Sequence, residues 1–209
     1  VVHNGIIENY LPLKEMLEKK GMQFHSETDP EVVANLIEYF YTKGATFRQA
    51  VRKAVARVEG SYALGVLCAD VPGTVIAVKK DSPLIFGYGQ GCNFIASDVP
   101  AILKYTRDVV YLNDGDLLEM TANSVTFYNT HGEVVEKKTE HVTWEISAAE
   151  KGGYAHFMLK EIYEQPKAVR DTIHPRIREG RIVLDDIQLP AEYLQNLRRI
   201  YIVACGSAY

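Results

Sequence analysis

Cysteine is scarce in this chain of 209 residues, and the three present, Cys68, Cys92 and Cys205, are odd in number and far apart. No CxxC pair occurs, so neither a disulfide framework nor a zinc site is suggested. Long apolar runs are also missing. The longest are strand-sized, well short of the roughly twenty residues of a bilayer span, and no charged-then-apolar leader opens the sequence. Blocks of one charge are absent too: 23 Lys and Arg are interspersed among 27 Asp and Glu, for a formal net charge of -4. Neither nucleic acid nor a membrane surface is therefore an expected partner, and the chain reads as cytoplasmic. The six histidines, His3, His25, His131, His141, His156 and His174, have no i,i+4 pair or other ligand spacing, so no metal is expected. What is abundant is apolar residues, 47% of the total, enough for a proper core.

Those apolar residues are patterned. Leu13, Met16 and Leu17 share one face of a short helix ending at Gly21, and Val33, Leu36, Ile37 and Phe40 do so in a second that stops before Gly44. A third opens with Thr46 and Gln49 at capping-box spacing and carries Val51, Val55 and Val58 inward to Gly60. Strand-like segments follow at 62–68, 74–78, 83–86, 93–96, 109–112, 116–120 and 124–128, with Pro-Gly, Gly-rich and Asn-Asp-Gly turns between them. Ser97 or Asp98 is expected to cap a short helix containing Pro100. This is an α+β plan of helices beside one or two antiparallel sheets. The polar stretch from Lys137 to Lys151-Gly152-Gly153 looks like a domain boundary. Beyond it Met158, Ile162, Val169 and Ile173 fall at helical spacing, with Pro166 expected to kink that helix or open a new one. The run from Arg199 to Ser207 has the look of a buried parallel strand entering a turn.

Several short motifs could carry chemistry. Asn4-Gly5 is either a two-residue hairpin turn or a pair of donors, a side-chain amide and a backbone N–H, suited to an oxyanion. In Ser26-Glu27-Thr28-Asp29, Thr28 and Glu31 have capping-box spacing, and Asp29 either complements the helix dipole or faces a ligand. Gly87-Tyr88-Gly89-Gln90-Gly91 invites a phosphate-loop reading, but no Lys-Ser/Thr pair follows, so a hairpin turn is the expectation. Cys205, at a strand end beside Gly206, has no identifiable base and reads as a small buried residue.

The stretches His3-Asn4-Gly5-Ile6-Ile7-Glu8-Asn9 and Ser26-Glu27-Thr28-Asp29, separated by one helix, together resemble the class II glutamine amidotransferases. Ser82-Pro83-Leu84 and Asn93 to Asp98 resemble further segments of the same glutaminase domain. Met158-Leu159-Lys160-Glu161-Ile162-Tyr163-Glu164-Gln165-Pro166 is similar to the segment that, in one branch of the family, joins the glutaminase half to a sugar-phosphate isomerase half. Ala204 to Tyr209 resembles the first strand and turn of that isomerase (SIS) domain. The resemblance implies an Ntn-hydrolase-type four-layer αββα sandwich over 1–146, a linker and first isomerase helices over 147–198, and the start of an α/β SIS domain over 199–209.

It further implies oxyanion-hole roles for Asn4 and Gly5, an ammonium-binding role for Asp29, and a sugar-phosphate contact for Ser207, with Ala208 where many members carry a phosphate-binding serine. The substrates would be glutamine and fructose 6-phosphate, the products glucosamine 6-phosphate and glutamate, and the full enzyme a homo-oligomer, a dimer, without cofactor. The family's nucleophile is a mature N-terminal cysteine. Because the chain opens with Val1, the expectation is a fragment that lacks this thiol and is itself inactive. Another class II amidotransferase, such as the phosphoribosylamine-forming one, and a noncatalytic glutamine-binding module are the rival readings.

Overall fold

The computed structural model describes residues 1–143, 151–184, 187 and 189–201. Two compact units divide at Ala149 and Glu150.

The first unit is built on strict two-residue alternation. Strands β1 (Val2–Ile7), β2 (Gly60–Leu67), β3 (Val75–Lys80), β7 (Leu117–Met120), β8 (Val125–Tyr128) and β9 (Val134–Val135) form a six-stranded sheet in that order, each neighbouring pair antiparallel. A second sheet has the order β10 (Glu140–His141), β6 (Asp108–Tyr111), β4 (Ile85–Tyr88) and β5 (Asn93–Ala96). Because successive side chains point to opposite faces, Ile76 and Val78 of β3 bury toward helices while Ala77 between them buries toward the other sheet. In the second sheet Phe86 and Val110 face inward, and Ile85 and Val109 pack outward against Val99, Ile102 and Leu103. Phe86 and Phe127 meet edge to face across the inter-sheet layer at 5.6 Å.

Helices α1 (Tyr10–Glu18), α2 (Asp29–Tyr41) and α3 (Phe47–Val55) cover the outer face of the larger sheet. Leu17, Val33, Leu36, Phe47 and Val51 supply their buried stripe. The Thr46–Gln49 capping box forms reciprocally, as its spacing predicts. The short helix expected after Ser97 does not form. Asp98 Oδ1 does accept the Ala101 amide at 3.3 Å, but the segment is a series of turns. Pro100 biases residue 99 away from helical geometry and leaves too short a run to propagate. The glycine-rich stretch is the turn of the β4–β5 hairpin, where Tyr88 pairs with Asn93.

In the second unit, α4 (Phe157–Ile173) runs through Pro166 as one helix, so the amide that would serve the Ile162 carbonyl is missing. Its apolar residues Met158, Ile162, Val169 and Ile173 are exposed. A two-stranded ribbon, β11 (Ile177–Arg178) with β12 (Arg181–Ile182), and the short α5 (Ala191–Gln195) follow. Cys205 and the rest of the apolar run beyond residue 201 lie outside the described residues.

Candidate functional site

The hairpin alternative for Asn4-Gly5 fails: both residues lie inside β1, paired with Ala63 and Tyr62 of β2. Long-range pairing with β2 overrides the local turn preference. Gly5 has φ +124, and a Cβ built there would sit 2.1 Å from the Ser61 carbonyl oxygen, so only glycine fits. The end of β1 is clamped by Asn9, whose amide donates to the Arg57 carbonyl at 2.8 Å and accepts from the Glu59 amide at 3.0 Å.

Among the described residues β1 lies at one edge of the larger sheet. Asn4, opposite Ala63, shares the face that looks toward the second sheet. A cavity of about 170 Å3 opens there, lined by Asn4, Gly65, Pro83, Leu84, Ile95 and Ser97 among others. The Asn4 side chain is exposed and makes no hydrogen bond among the described residues. A free amide at the mouth of a cleft between two sheets can meet a ligand without first breaking a contact of its own. One strand position back, His3 Nε2 is buried and has no hydrogen-bond partner among the described residues.

Asp29 reaches the same strand from the start of α2. Its Oδ2 accepts the Ile7 backbone N–H at 2.8 Å. Ile7 stands two residues from Gly5, a step of about 7 Å along an extended strand. That is close to the span between an α-ammonium and a carboxamide across a three-carbon chain, about 5–6 Å. The structure thus brings Asn4, Gly5 and Asp29 onto one stretch of β1, with the second carboxylate oxygen of Asp29 making no hydrogen bond among the described residues.

The side-chain cap expected of Thr28 does not form. Thr28 is the N-cap residue, but its side chain caps nothing. Its hydroxyl instead pairs with Ser26 Oγ at 2.9 Å. Glu31 reaches past Thr28 and accepts the His25 and Ser26 amides, both at 2.7 Å, and the Ser26 hydroxyl at 2.6 Å. Asn35, buried in α2, holds the Gln23 carbonyl at 2.9 Å. The segment before α2 is therefore strapped down from inside the helix rather than from its cap. No standard sequence spacing signals any of these four bonds.

Hydrogen bonds from Ser26 and then from the His25 amide hold the Glu31 carboxyl below the usual carboxylate range. A depressed folded-state pKa contributes stability above the unfolded value of 4.5, and that stability is lost as pH falls through the folded value. We expect Glu31→Gln to lower the melting temperature at pH 7 and the difference from the parent chain to close as pH is taken below 4.5. A pH-independent difference would show that the carboxylate's charge is irrelevant to the strap.

Ser207 and Ala208 lie outside the described residues. Of the cysteines that are described, Cys68 follows β2 and Cys92 lies in the β4–β5 turn. Among the described residues no cluster of His, Cys, Asp or Glu could hold a metal ion, and no helix is long and apolar enough to cross a membrane.

Residues 1–104 match the family described as a glutamine amidotransferase domain. Those residues, which lie within the first unit, are of that class. Over its whole length the chain is a homologue of the glutamine–fructose-6-phosphate aminotransferases (isomerizing). It is 56% identical to the one from Clostridium acetobutylicum, 54% to that of Caldanaerobacter subterraneus subsp. tengcongensis and 48% to that of Aquifex aeolicus. In each case all of this chain aligns with 34% of the relative, so the chain spans about a third of the length of the curated relatives it matches. A solved structure of glutamine phosphoribosylpyrophosphate amidotransferase from B. subtilis aligns with 69% of this chain and 29% of its own, at 24% identity and a TM-score of 0.48.

Proposed function

We propose that the β1 edge is the glutamine site of a glutaminase domain. The reading rests on one observation above all: the Asp29 carboxylate docks on the Ile7 amide, two residues from a glycine that no other residue can replace. Asn4 Nδ2 and the Gly5 amide would donate to the oxygen of the substrate carboxamide as it gains negative charge. The free oxygen of Asp29 would take the α-ammonium, a charge-assisted contact distant from the reacting carbon. The attacking thiol is, by family resemblance, a mature N-terminal cysteine, whose amine serves as base. Addition to the carboxamide gives the oxyanion, expulsion of ammonia gives a thioester, and water releases glutamate.

The likeness to the aminotransferases extends this to the whole protein. Ammonia would pass to fructose 6-phosphate, giving glucosamine 6-phosphate, in a cytoplasmic homo-oligomer. Residues 1–146 would form the Ntn-type four-layer sandwich, 147–198 a linker with the first isomerase helices, and 199–209 the first SIS strand, with Ser207 near the sugar phosphate. The alternation of helix layer, sheet and sheet in the first unit supports the first of these assignments.

Asp29 supplies the test. Asp29→Asn keeps an oxygen for the Ile7 amide but removes the charge, whereas Asp29→Ala leaves that half-buried amide unpaired, at about 1–3 kcal/mol. In the full-length protein Asp29→Asn should raise KM for glutamine at least tenfold while the melting temperature stays near the parent value; only Asp29→Ala should also lose stability. An Asp29→Asn protein with unchanged KM would reduce Asp29 to a brace between α2 and β1.

A further inference from the structure

A second cavity, of about 400 Å3, shares no lining residue with the one at β1. The end of helix α3 forms one wall through Val55 and the following Ala56, and the larger sheet forms another through Val78, Leu117 and Tyr128. Two arginines line it and no carboxylate does. Arg48 and Arg52 stand four residues apart on α3 and so share a face. Their circumstances differ.

Arg48 is fully engaged: it pairs with Glu119 at 3.1 Å, donates to the Tyr128 hydroxyl and lies over the Tyr128 ring at 4.3 Å. Arg52 has no hydrogen bond or ion pair among the described residues. Its guanidinium instead fits against Gly132, where a built Cβ would come within 1.7 Å of Nη1. Gly132 has φ +81, so both its backbone and its missing side chain make room for that cation. The outcome is one uncompensated, fork-shaped donor at the rim of a partly apolar cavity of ligand size.

We propose that this cavity binds a small organic anion with a ring-sized apolar body, its carboxylate or phosphate monoester held by Arg52. Aliphatic and aromatic walls suit the body, and the planar guanidinium suits either anion in bidentate fashion. A metal ion is disfavoured because no carboxylate faces in. The competing account is that Arg52 merely complements the C-terminal dipole of α3, in whose last turn it sits.

Calorimetric titration of the chain with phenyl phosphate, benzoate and uncharged benzyl alcohol separates these accounts. Saturable binding of at least one anion, with no comparable binding of the alcohol, is expected, and whichever anion binds better identifies the head group. Arg52→Gln should weaken that binding about tenfold, the size of one lost charge-assisted hydrogen bond. Ala56→Phe, which keeps both arginines and fills the cavity, should weaken it by at least as much, while melting curves establish that both variants are folded. Absence of saturable anion binding, equal binding of benzyl alcohol, or anion binding that survives both substitutions would overturn the proposal.

Discussion

Asn4→Ala is expected to lower the turnover of glutamine hydrolysis in the full-length protein by roughly a hundred- to thousandfold, the usual consequence of deleting one oxyanion donor. The reason lies in timing. The amide would bond most strongly to an oxygen that becomes fully negative only in the transition state, so its removal should act on kcat far more than on KM. The fold makes this a clean experiment. Asn4 is exposed on β1 and makes no hydrogen bond among the described residues, so alanine removes no hydrogen bond seen in the fold. Steady-state kinetics of ammonia release beside a melting curve decide it: a variant that loses only affinity, or loses nothing, removes Asn4 from the reaction.

Gly5→Ala should have the largest effect on stability. The methyl group would be built into the Ser61 carbonyl at 2.1 Å, and alanine would be held at φ +124, a conformation that costs an L-residue about 1–3 kcal/mol before any clash is counted. The strand cannot relax freely, because Asn9 clamps its end to residues 57–59 and Asp29 holds the Ile7 amide. A fall in melting temperature of roughly 5–10 °C is expected for the isolated chain. An unchanged melting temperature would mean that β1 shifts along β2 to make room. In the full-length protein glutaminase activity should vanish with the strand's geometry in either case.

Much of this arrangement is legible in the residues themselves. The alternation in Val75 to Lys80 and in Ile85 to Tyr88 follows from the two-residue period of a strand between two apolar layers, and Thr46 with Gln49 forms the capping box that its spacing predicts. Asn4-Gly5 is a harder case. Its local chemistry favours a turn, and what places it in a strand is pairing with Ala63 and Tyr62, nearly sixty residues away, which no local pattern encodes. The same holds for the strap before α2. Thr28 has the spacing of a cap, yet Glu31 gains three hydrogen bonds by reaching to His25 and Ser26 instead, and that preference is visible only once the segment is folded. The helix around Pro166 shows the reverse limit: its period is readable and its helical state correct, but its apolar residues are exposed in the described unit.

The meeting of Asn4, Gly5 and Asp29 on β1 was legible only through resemblance, since two motifs separated by a helix have no spacing rule that joins them. In physical terms the joining element is a single hydrogen bond, from the Ile7 amide to Asp29. Sequence periodicity could place each motif on its own element and no further.

The claim that the Asp29 carboxylate receives a substrate ammonium can be tested by changing both partners at once. Glutaramate has the carboxamide and carboxylate of glutamine but no α-ammonium. In the full-length protein, kcat/KM for glutamine should exceed that for glutaramate by roughly 10- to 100-fold, the range of one charge-assisted contact, and Asp29→Asn should bring the ratio close to one. A preference for glutamine that survives Asp29→Asn undiminished would contradict the account, because the ammonium would then be recognised elsewhere.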